Sequence, residues 1–465
     1  MRERASAIAI VAVSALLVVG GTTPALAKKK RPRVAPRGTV VSRSLFAWDL
    51  AVQPDGRIVT VGRNGGRTLR TVVARRLDNG QLDPTFRNGV VAVASKALMF
   101  LIALQPDGRI LIAGEAPGTG MSADGSPADF ILARLLPTGQ LDPSFGSGGV
   151  VRTDFGADDG PSALTIQDDG RILLAGHADR GYPDRANPDS SFAVARYEPN
   201  GSLDPSFGAG GRVLVSFGRF NTARAMRVSA DGRIALAGTN QLDPGANEPE
   251  RLAQARLLTD GSLDPSFGTG GQLVTPFLAP GEDVLLSFPP FVIYGLTYAT
   301  DGRLVAAGEA SVKRGKRIVS LTKVARYGPD GAPDPSFGLG GRMLLNQRKM
   351  GRVNGVATTA GGGIVVAGLT NSIPEGVQLV RLTPGGVLEA GFGRSGSVKT
   401  RLPGTAVDFP AVTFDPLGRV LVAGFTGLGR GGQSVIARYQ ASGRLDRTFG
   451  PRHRRHHRKR GHHHR

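Results

Sequence analysis

The chain has 465 residues, no cysteine and a formal charge of +21. Without cysteine it forms no disulfide, so its stability has to come from packing. Hydrophobic residues make up 40% of the chain, and its 67 glycines and 31 prolines are spread along the sequence. This composition excludes a low-complexity chain and favours a globular all-β protein.

Residues 1–27 have the order of a secretory signal peptide. Arg2 and Arg4 precede an apolar run from Ala5 to Gly21, and a segment of small residues then ends at Ala27. We therefore predict export, with cleavage after Ala27. A retained membrane anchor is the alternative, but the run is short for a membrane-spanning helix and ends in glycine and threonine.

Most of the positive charge lies in two terminal segments. Residues 28–37 hold six lysines and arginines, residues 451–465 hold seven, and residues 1–27 carry a net charge of +1, which leaves +7 for residues 38–450. Segments 28–37 and 451–465 are interpreted as a basic linker and a disordered basic tail. The tail also carries six of the seven histidines. Loose binding of zinc or nickel and a purification tag are the alternatives to a plain cationic tail.

Residues 38–450 contain seven copies of one unit, recognised by three landmarks in a fixed order. The first landmark is a turn between two apolar runs, centred on Asp-Gly in five copies and weaker in the last two. The seven turns lie at 53–57, 105–109, 168–171, 230–233, 300–303, 361–363 and 417–419. In such a turn the aspartate side chain bonds nearby backbone N–H groups and glycine takes the position of positive φ, so the flanking runs form a hairpin.

The second landmark is a strand with an arginine, usually as Ala-Arg followed by an apolar residue. The arginines are Arg75, Arg134, Arg196, Arg256, Arg326, Arg381 and Arg438. The third landmark is Leu-Asp-Pro-Ser-Phe-Gly, in which we expect leucine and phenylalanine to fill the space between units. It occurs at 141–146, 203–208 and 263–268, with variants at 82–86, 333–338, 388–393 and 445–450.

These units predict a seven-bladed β-propeller with four-stranded blades. Each unit has room for four strands within about sixty residues, and no helical periodicity is present. Runs such as Ile172-Leu173-Leu174-Ala175 are apolar on both faces, as expected of a strand covered by a sheet on each side. A right-handed β-helix is the alternative, but its coils are shorter and lack these hairpin turns.

The two ends of the repeat array predict how the ring closes. The seventh unit reaches Phe449-Gly450 without a fourth strand, whereas residues 38–43 before the first unit have the form of such a strand. We therefore expect residues 38–43 to pair with the seventh blade, which removes exposed sheet edges.

The landmarks resemble the delta-60 repeat, a unit of this length found in tandem in large exported bacterial proteins. The resemblance covers nearly all of residues 38–450 and implies a propeller without a defined activity. Units six and seven depart from it, with Gly361 and Leu417 in place of the turn aspartate and Glu389-Ala390-Gly391 in place of Asp-Pro-Ser.

Residues that recur in every blade are interpreted as structural, so function is sought where the blades differ. The single histidine of the propeller, His177, follows a strand that ends at Gly176, and we expect it in a solvent-facing loop. Asp179, Asp184, Asn187 and Asp189 could gather around calcium but lack the spacing of a formal calcium loop. The sequence therefore predicts no catalytic residue, no metal site and no cofactor.

Two features break the repeat pattern, and both fall in connections expected on the same face of the propeller. One is an insert of roughly fifteen residues between units four and five, an apolar, proline-stiffened segment. The other is a basic loop in unit five. The predicted ligand-binding residues are Phe288, Phe291, Lys313, Arg314, Lys316 and Arg317. Aromatic rings stack on ligands and cations pair with anions, although both features can also serve as a blade cap and a solvated loop.

The sequence thus favours a secreted binding or scaffold propeller, monomeric and associated with the cell envelope. The predicted partner is an anionic envelope polymer, a carbohydrate or a protein. An enzyme acting on polysaccharide, a lyase or a hydrolase, is the second interpretation, since fold does not dictate function. Nucleic-acid binding is disfavoured because a basic stripe interleaved with aromatic residues is weak here.

Overall fold

The structure, a computed structural model, describes the propeller region of the chain but neither terminal segment. The described residues are 36–450 except for several internal gaps. The gaps are 43–44, 65–69, 94–96, 118–127, 157, 180–189, 242–250, 277–290, 300, 315–316, 346–352, 360, 371–375, 403–405 and 427–432. The predicted signal peptide, most of the basic linker and the histidine-rich tail therefore lie outside the described residues. Within these residues no helix is long or apolar enough to cross a membrane.

The described strands form seven antiparallel sheets of four strands each, which confirms the predicted seven-bladed propeller. Blade 1 contains β2 (Phe46–Val52), β3 (Ile58–Arg63), β4 (Thr71–Arg76) and β5 (Val90–Ala92). Blade 2 contains β6 (Leu98–Leu104), β7 (Ile110–Pro117), β8 (Ala128–Leu135) and β9 (Val150–Thr153). Blade 3 contains β10 (Asp158–Ile166), β11 (Ile172–Asp179), β12 (Ser190–Tyr197) and β13 (Arg212–Val215). The only helix in the described residues is one turn of 3₁₀ helix, Arg87–Gly89.

The remaining blades repeat the same order. Blade 4 contains β14 (Asn221–Val228), β15 (Ile234–Asn240), β16 (Arg251–Leu257) and β17 (Gln272–Pro276). Blade 5 contains β18 (Phe291–Tyr298), β19 (Leu304–Arg314), β20 (Arg317–Tyr327) and β21 (Arg342–Leu345). Blade 6 contains β22 (Val353–Thr358), β23 (Ile364–Leu369), β24 (Gly376–Leu382) and β25 (Ser397–Arg401). Blade 7 contains β26 (Ala406–Phe414), β27 (Val420–Thr426) and β28 (Gln433–Tyr439), with β1 (Thr39–Ser42) as its fourth strand.

Strand β1 closes the ring, as the sequence predicts. It pairs antiparallel with β28, with Thr39 opposite Ala437 and Ser42 opposite Ser434. The backbone N–H of Arg438 donates to the carbonyl of Gly38 at 3.0 Å, which extends the pairing by one more bond. The outer edge of blade 7 is therefore made from the N-terminal end of the described chain.

The alternation of strands gives the propeller two faces with different connections. The turn face carries the Asp-Gly turns and the connections between the third and fourth strands. The loop face carries the connections between the second and third strands and those between blades. Asp55 shows why the turns form: its carboxylate accepts the Arg57 N–H at 3.0 Å, and Gly56 has a φ of +83°.

Apolar strands fill the space between neighbouring blades. Residues 172–175 of β11 are all fully buried. Leu173 and Ala175 pack against blade 4, whereas Ile172 and Leu174 pack against blade 2. This two-sided burial explains why the second strand of a unit shows no alternation of apolar and polar residues.

In six blades the repeated arginine bonds a backbone carbonyl of the next blade, a contact that we call the clasp. In blade 4, Arg256 bonds only its own blade among the described residues. In blade 3, Arg196 is 5% exposed, and its Nε donates to Asp204 at 2.7 Å. Its Nη1 donates to the carbonyl of Thr259 in blade 4, and its guanidinium lies 4.4 Å from the ring centre of Phe207. The repeated arginine and aspartate are therefore used in a structural contact, as the sequence predicts.

The clasp survives where the repeat pattern is weakest. In blade 6, Glu389 replaces the aspartate and still forms an ion pair with Arg381, with the two side-chain atoms 2.8 Å apart. Between blades 7 and 1, Arg438 donates to Asp446 at 2.9 Å and to the carbonyl of Asp78 at 2.6 Å. The irregular repeats therefore keep the contact that closes the ring.

A glycine of the following blade lies over each repeated phenylalanine. Gly201 of blade 3 has a φ of +91°, and a Cβ at this position would lie 2.9 Å from the ring of Phe145 in blade 2. Phe145 itself is fully buried, as predicted for the phenylalanine of the third landmark. The leucine prediction is wrong in part, because Leu82 and Leu263 are 41% and 36% exposed. The chain reverses direction beside these leucines, and their side chains lie at the outer rim of the blades.

Removing residues 28–45, and β1 with them, should lower the melting temperature by about 10 °C or more, because an unpaired edge of β28 and the apolar contacts of Val40 would be exposed. Thermal unfolding followed by circular dichroism measures this shift. The control removes residues 28–35, which precede β1, and should leave the melting temperature unchanged. Equal melting temperatures for the two truncations would contradict closure by β1.

Replacing Arg196 by alanine should lower the free energy of unfolding by about 3–5 kcal/mol, because Asp204 and the Thr259 carbonyl would be left buried without their cation. The matched control is Arg171→Ala, in the same blade. Arg171 also reaches Asp204, at 3.2 Å, but its side chain is 37% exposed. In the control, the free energy of unfolding should fall by less than about 1 kcal/mol. Urea unfolding of both variants measures the difference, and similar losses would mean that burial of the clasp is unimportant.

Candidate functional site

The loop face carries the residues that differ between blades. The topology places both sequence-predicted features there: β17 ends and β18 begins at this face, and the β19–β20 hairpin has its tip at the same face. Phe288 and Lys316 lie outside the described residues. Phe291 is the first residue of β18, but its side chain is not described.

The β19–β20 hairpin extends beyond the rest of blade 5. Phe291 pairs with Ala310, so residues 311–314 of β19 continue past the start of β18 and pair only with β20. Arg314 lies opposite Arg317 at the tip. Four residues of strand correspond to about 13 Å, so the backbone carries Lys313, Arg314 and Arg317 well beyond the edge of the sheet. Ligand binding by these residues stays a prediction.

The prediction that His177 lies in a solvent-facing loop is wrong. His177 is within β11, where it pairs with Gly160 of β10, and the strand continues to Asp179. Its surroundings are largely protein, and burial lowers the pKa of its imidazole. The sequence-based prediction ended the strand at Gly176, whereas β11 runs three residues further because β10 is also longer at this end.

Gly160 leaves room for two polar side chains from neighbouring blades. A Cβ at Gly160 would lie 2.8 Å from Oε1 of Glu115 in blade 2 and 2.5 Å from Cε1 of His177 in blade 3. Burial, with a smaller effect of Asp158, raises the pKa of Glu115 to about 7. Glu115 and His177 therefore meet at the boundary between blades 2 and 3.

Three aspartates lie close together at the same boundary, and we call them the acidic cluster. One carboxylate oxygen each of Asp129, Asp154 and Asp159 lies within 4.8 Å of the other two. Asp129 is near the start of β8, Asp154 follows β9, and Asp159 is in β10. The cluster therefore spans blade 2, blade 3 and the connection between them.

The acidic cluster is mostly buried and only partly neutralised. Asp129 and Asp159 are 3% and 0% exposed, whereas Asp154 is exposed. Arg152 forms an ion pair with Asp129. Burial raises the pKa of Asp159 to about 7, and the charges of Asp129 and Asp154 act in the same direction. Burial also raises the pKa of Asp129, against the effect of Arg152.

The sequence contains one signal for the acidic cluster, which was not among the predicted sites. Asp154, Asp158 and Asp159 fall within six residues, in a connection where the other blades have no such run of aspartates. The approach of Asp129 had no signal, because it depends on how β8 of blade 2 lies beside β10 of blade 3. Of the calcium loop considered in the sequence, Asp179 ends β11, and Asp184, Asn187 and Asp189 lie outside the described residues.

The central channel offers a second polar position. Inner strands of five blades line a cavity of about 400 Å³, with Asp49, Ile102 and Arg227 among its lining residues. The Asp49 carboxylate accepts the N–H groups of Leu50 at 2.8 Å and Ile102 at 3.1 Å. Burial outweighs these bonds and raises the pKa of Asp49 to about 7.

Comparison with known proteins supports a propeller repeat family. Six segments match the family model described as "Domain of unknown function (DUF5122) beta-propeller". They are residues 53–86, 105–145, 167–207, 229–267, 299–337 and 418–449. Five segments begin at or near an Asp-Gly turn and the sixth begins at Gly418 of the weaker seventh turn. All six end at the repeated phenylalanine, so the model covers the three landmarks. The chain is thus a seven-bladed propeller, and six of its segments are similar to the repeat of that family. A search of curated proteins finds no match.

Solved structures with a similar fold are distant in sequence. Puromycin hydrolase is 15% identical with a TM-score of 0.47, over 83% of this chain and 51% of that protein, so the chain spans about half its length. The β-propeller domain of the trilobed protease from Pyrococcus furiosus is 10% identical with a TM-score of 0.39, over 82% and 92%. A putative oxidoreductase (glucose dehydrogenase) from Thermus thermophilus is 16% identical with a TM-score of 0.34, over 86% and 100%. At these values none of the three bears on the activity of this chain.

The raised pKa of Asp49 gives a pH-dependent prediction. A carboxyl group with a higher pKa in the folded than in the unfolded protein makes folding less favourable as the pH rises between the two values. As the pH rises from about 4 to about 8, the free energy of unfolding should therefore fall further in the wild-type protein than in Asp49→Asn. Urea unfolding across this range measures the effect. The control Asp330→Asn, at an exposed turn, should follow the wild type, and parallel curves for all three proteins would contradict the raised pKa.

Proposed function

We propose that the chain is an exported binding or scaffold propeller that acts at the cell envelope, with delta-60 repeats as its building units. Its ligand is proposed to be an anionic envelope polymer or carbohydrate, bound at the loop face. The observation that carries this proposal is the β19–β20 hairpin, which extends past blade 5 with basic residues at its tip.

The distribution of charge supports this location. In blade 3 the turn arginine Arg171 and the clasp arginine Arg196 are balanced by Asp169 and Asp204. The same pairing recurs in other blades, as in blade 2 with Arg109, Arg134, Asp107 and Asp142. Repeated charges therefore cancel within each blade, and the excess positive charge comes from positions outside the repeat, among them the hairpin and the terminal segments. Long-range attraction of a polyanion would come from these places.

Export and envelope association rest on the sequence. Residues 1–27 have the order of a signal peptide, and segments 28–37 and 451–465 are basic. Basic segments of this kind are drawn to anionic polymers and headgroups at a cell surface. The terminal segments would hold the protein near the envelope, while the hairpin and the insert with Phe288 and Phe291 would contact the ligand.

The hairpin can be tested by removing two charges. In Arg314→Ser/Arg317→Ser, the affinity for poly(glycerol phosphate) or polygalacturonate should fall by about tenfold or more, and the salt dependence should weaken by about two counterions. The control Arg444→Ser/Arg447→Ser removes two exposed charges near the turn face. Fluorescence anisotropy over a salt series measures both effects.

Each other outcome has a defined meaning. Equal losses in the two double variants would remove the hairpin from the site and leave only general charge attraction. Affinity that disappears when the chain is cut to residues 38–450 would assign binding to the terminal segments. Binding of DNA as tight as that of the envelope polymers would contradict the envelope assignment. Shortening of the polymers during the assay would favour the polysaccharide-acting enzyme.

The contribution of the two phenylalanines is tested with an uncharged ligand. Phe288→Ala/Phe291→Ala should lose binding to any uncharged glycan that the wild type retains on a glycan panel, because stacking on sugar rings would be removed. Unaltered glycan binding in a folded double variant would exclude the two phenylalanines from the site.

A further inference from the structure

We propose that the acidic cluster of Asp129, Asp154 and Asp159 binds one divalent cation, and that Ca²⁺ is the preferred ion. The proposal goes beyond the proposed function, because it concerns another part of the loop face and a different kind of ligand. It rests on the spacing of the three carboxylates, the bonding of Asp159 and the balance of charge.

Asp159 is buried with half of its carboxylate unused. Its Oδ2 accepts the backbone N–H of Phe155 at 2.7 Å, while its Oδ1 is buried and has no hydrogen-bond partner among the described residues. Buried polar atoms in folded proteins almost always have a partner, and an unsatisfied carboxylate oxygen is costly. A cation between the three aspartates would give this oxygen a partner.

The local charge is short of positive partners. The cluster brings three carboxylates together, and Asp158 adds a fourth beside Asp159 in the sequence. Arg152 pairs with Asp129, and Arg212 donates to the backbone carbonyl of Asp154, so two arginines face four carboxylates. A divalent cation would balance two more, and its strong attraction for carboxylates would offset their mutual repulsion.

The donor atoms and their spacing favour Ca²⁺. All three side chains offer oxygen, which suits hard cations such as Ca²⁺ and Mg²⁺ rather than zinc or copper. Ca²⁺ binds oxygens at about 2.3–2.6 Å, so two ligand oxygens can be up to about 5 Å apart across the ion. The three oxygens lie within 4.8 Å of one another, inside that limit. Mg²⁺ demands near-ideal octahedral geometry and gives up its water reluctantly, so it is less suited to carboxylates held by three separate segments.

The acidic cluster lies where an ion can enter from solvent and where it would link two blades. Asp154 is exposed, so the ion can enter from solvent and keep water in its remaining positions. Asp129 belongs to blade 2 and Asp159 to blade 3. A bound ion would therefore fix the connection between the two blades at the loop face, opposite the clasp of Arg134 on the turn face.

The test compares Ca²⁺ binding and stability in the full mature chain after removal of metal with EDTA. Isothermal titration calorimetry with CaCl₂ should show one site per chain, and saturating Ca²⁺ should raise the melting temperature by several degrees. Asp159→Asn and the exposed-site variant Asp154→Asn should each weaken binding at least tenfold. The control Asp330→Asn should bind as the wild type does. MgCl₂ should bind more weakly than CaCl₂.

The stability of Asp159→Asn relative to the wild type distinguishes a cation ligand from an ordinary buried side chain, because for a ligand the difference should change sign when Ca²⁺ is added. Without metal, Asp159→Asn should be at least as stable as the wild type, because it removes an unpaired buried charge. In Ca²⁺ the wild type should be the more stable of the two. The proposal is overturned if about 10 mM Ca²⁺ leaves the wild-type melting temperature unchanged, since even weak extracellular sites fill at that concentration. It is also overturned if both asparagine variants bind Ca²⁺ as the wild type does, or if Asp159→Asn destabilises the protein equally with and without Ca²⁺.

Discussion

The clasp between a buried arginine and the next blade is the contact on which the ring depends. A propeller blade is a twisted sheet whose two apolar faces need neighbours, but apolar contacts alone do not set how far one blade turns from the next. The clasp adds a directional contact between blades, because in six blades the planar guanidinium holds an acidic side chain of its own blade and a backbone carbonyl of the next blade at the same time. In Arg134 these partners are Asp142 at 2.8 Å and the Pro199 carbonyl at 2.5 Å. Six further arginines occupy the same position in the repeat.

This use of arginine changes how the charge of the protein is understood. An arginine in every blade looks at first like a ring of anion-binding sites. In the structure these guanidinium groups are paired with acidic side chains of their own blades, and most of them are buried. Two charged features lie outside the repeat on the loop face: the hairpin of blade 5 with Arg314 and Arg317, and the acidic cluster of blades 2 and 3. One is basic and the other acidic, so the two features are proposed as sites for ligands of opposite charge.

The fold could be predicted well from the sequence because short local patterns determine it. Asp-Gly turns, two-sided apolar strands and the repeated phenylalanine each act over a few residues, and seven copies make the pattern unmistakable. Even the closure by β1 followed from a strand that was missing at one end and present at the other. The errors concern contacts that local patterns do not determine. The exposure of Leu82, the strand position of His177 and the meeting of Asp129 with Asp159 all depend on how two strands or two blades lie beside each other. The proposed ligand residues stay predictions, because their pattern occurs in one blade only and cannot be compared with other copies of the repeat.

Closure by β1 also has a consequence for the order in which the molecule can assemble. The N-terminal end of the chain is made first, yet the partner of β1 follows about 390 residues later. Until β28 exists, β1 has an unpaired edge, and blade 1 lacks its neighbour on one side. Blades 1 to 6 can stack one after another as they are made, but the ring can only close in a final step that joins the two ends of the array. An interrupted chain would thus be an open arc with two sheet edges, and a cell would have to keep those edges apart from other unfinished chains until the last blade is complete.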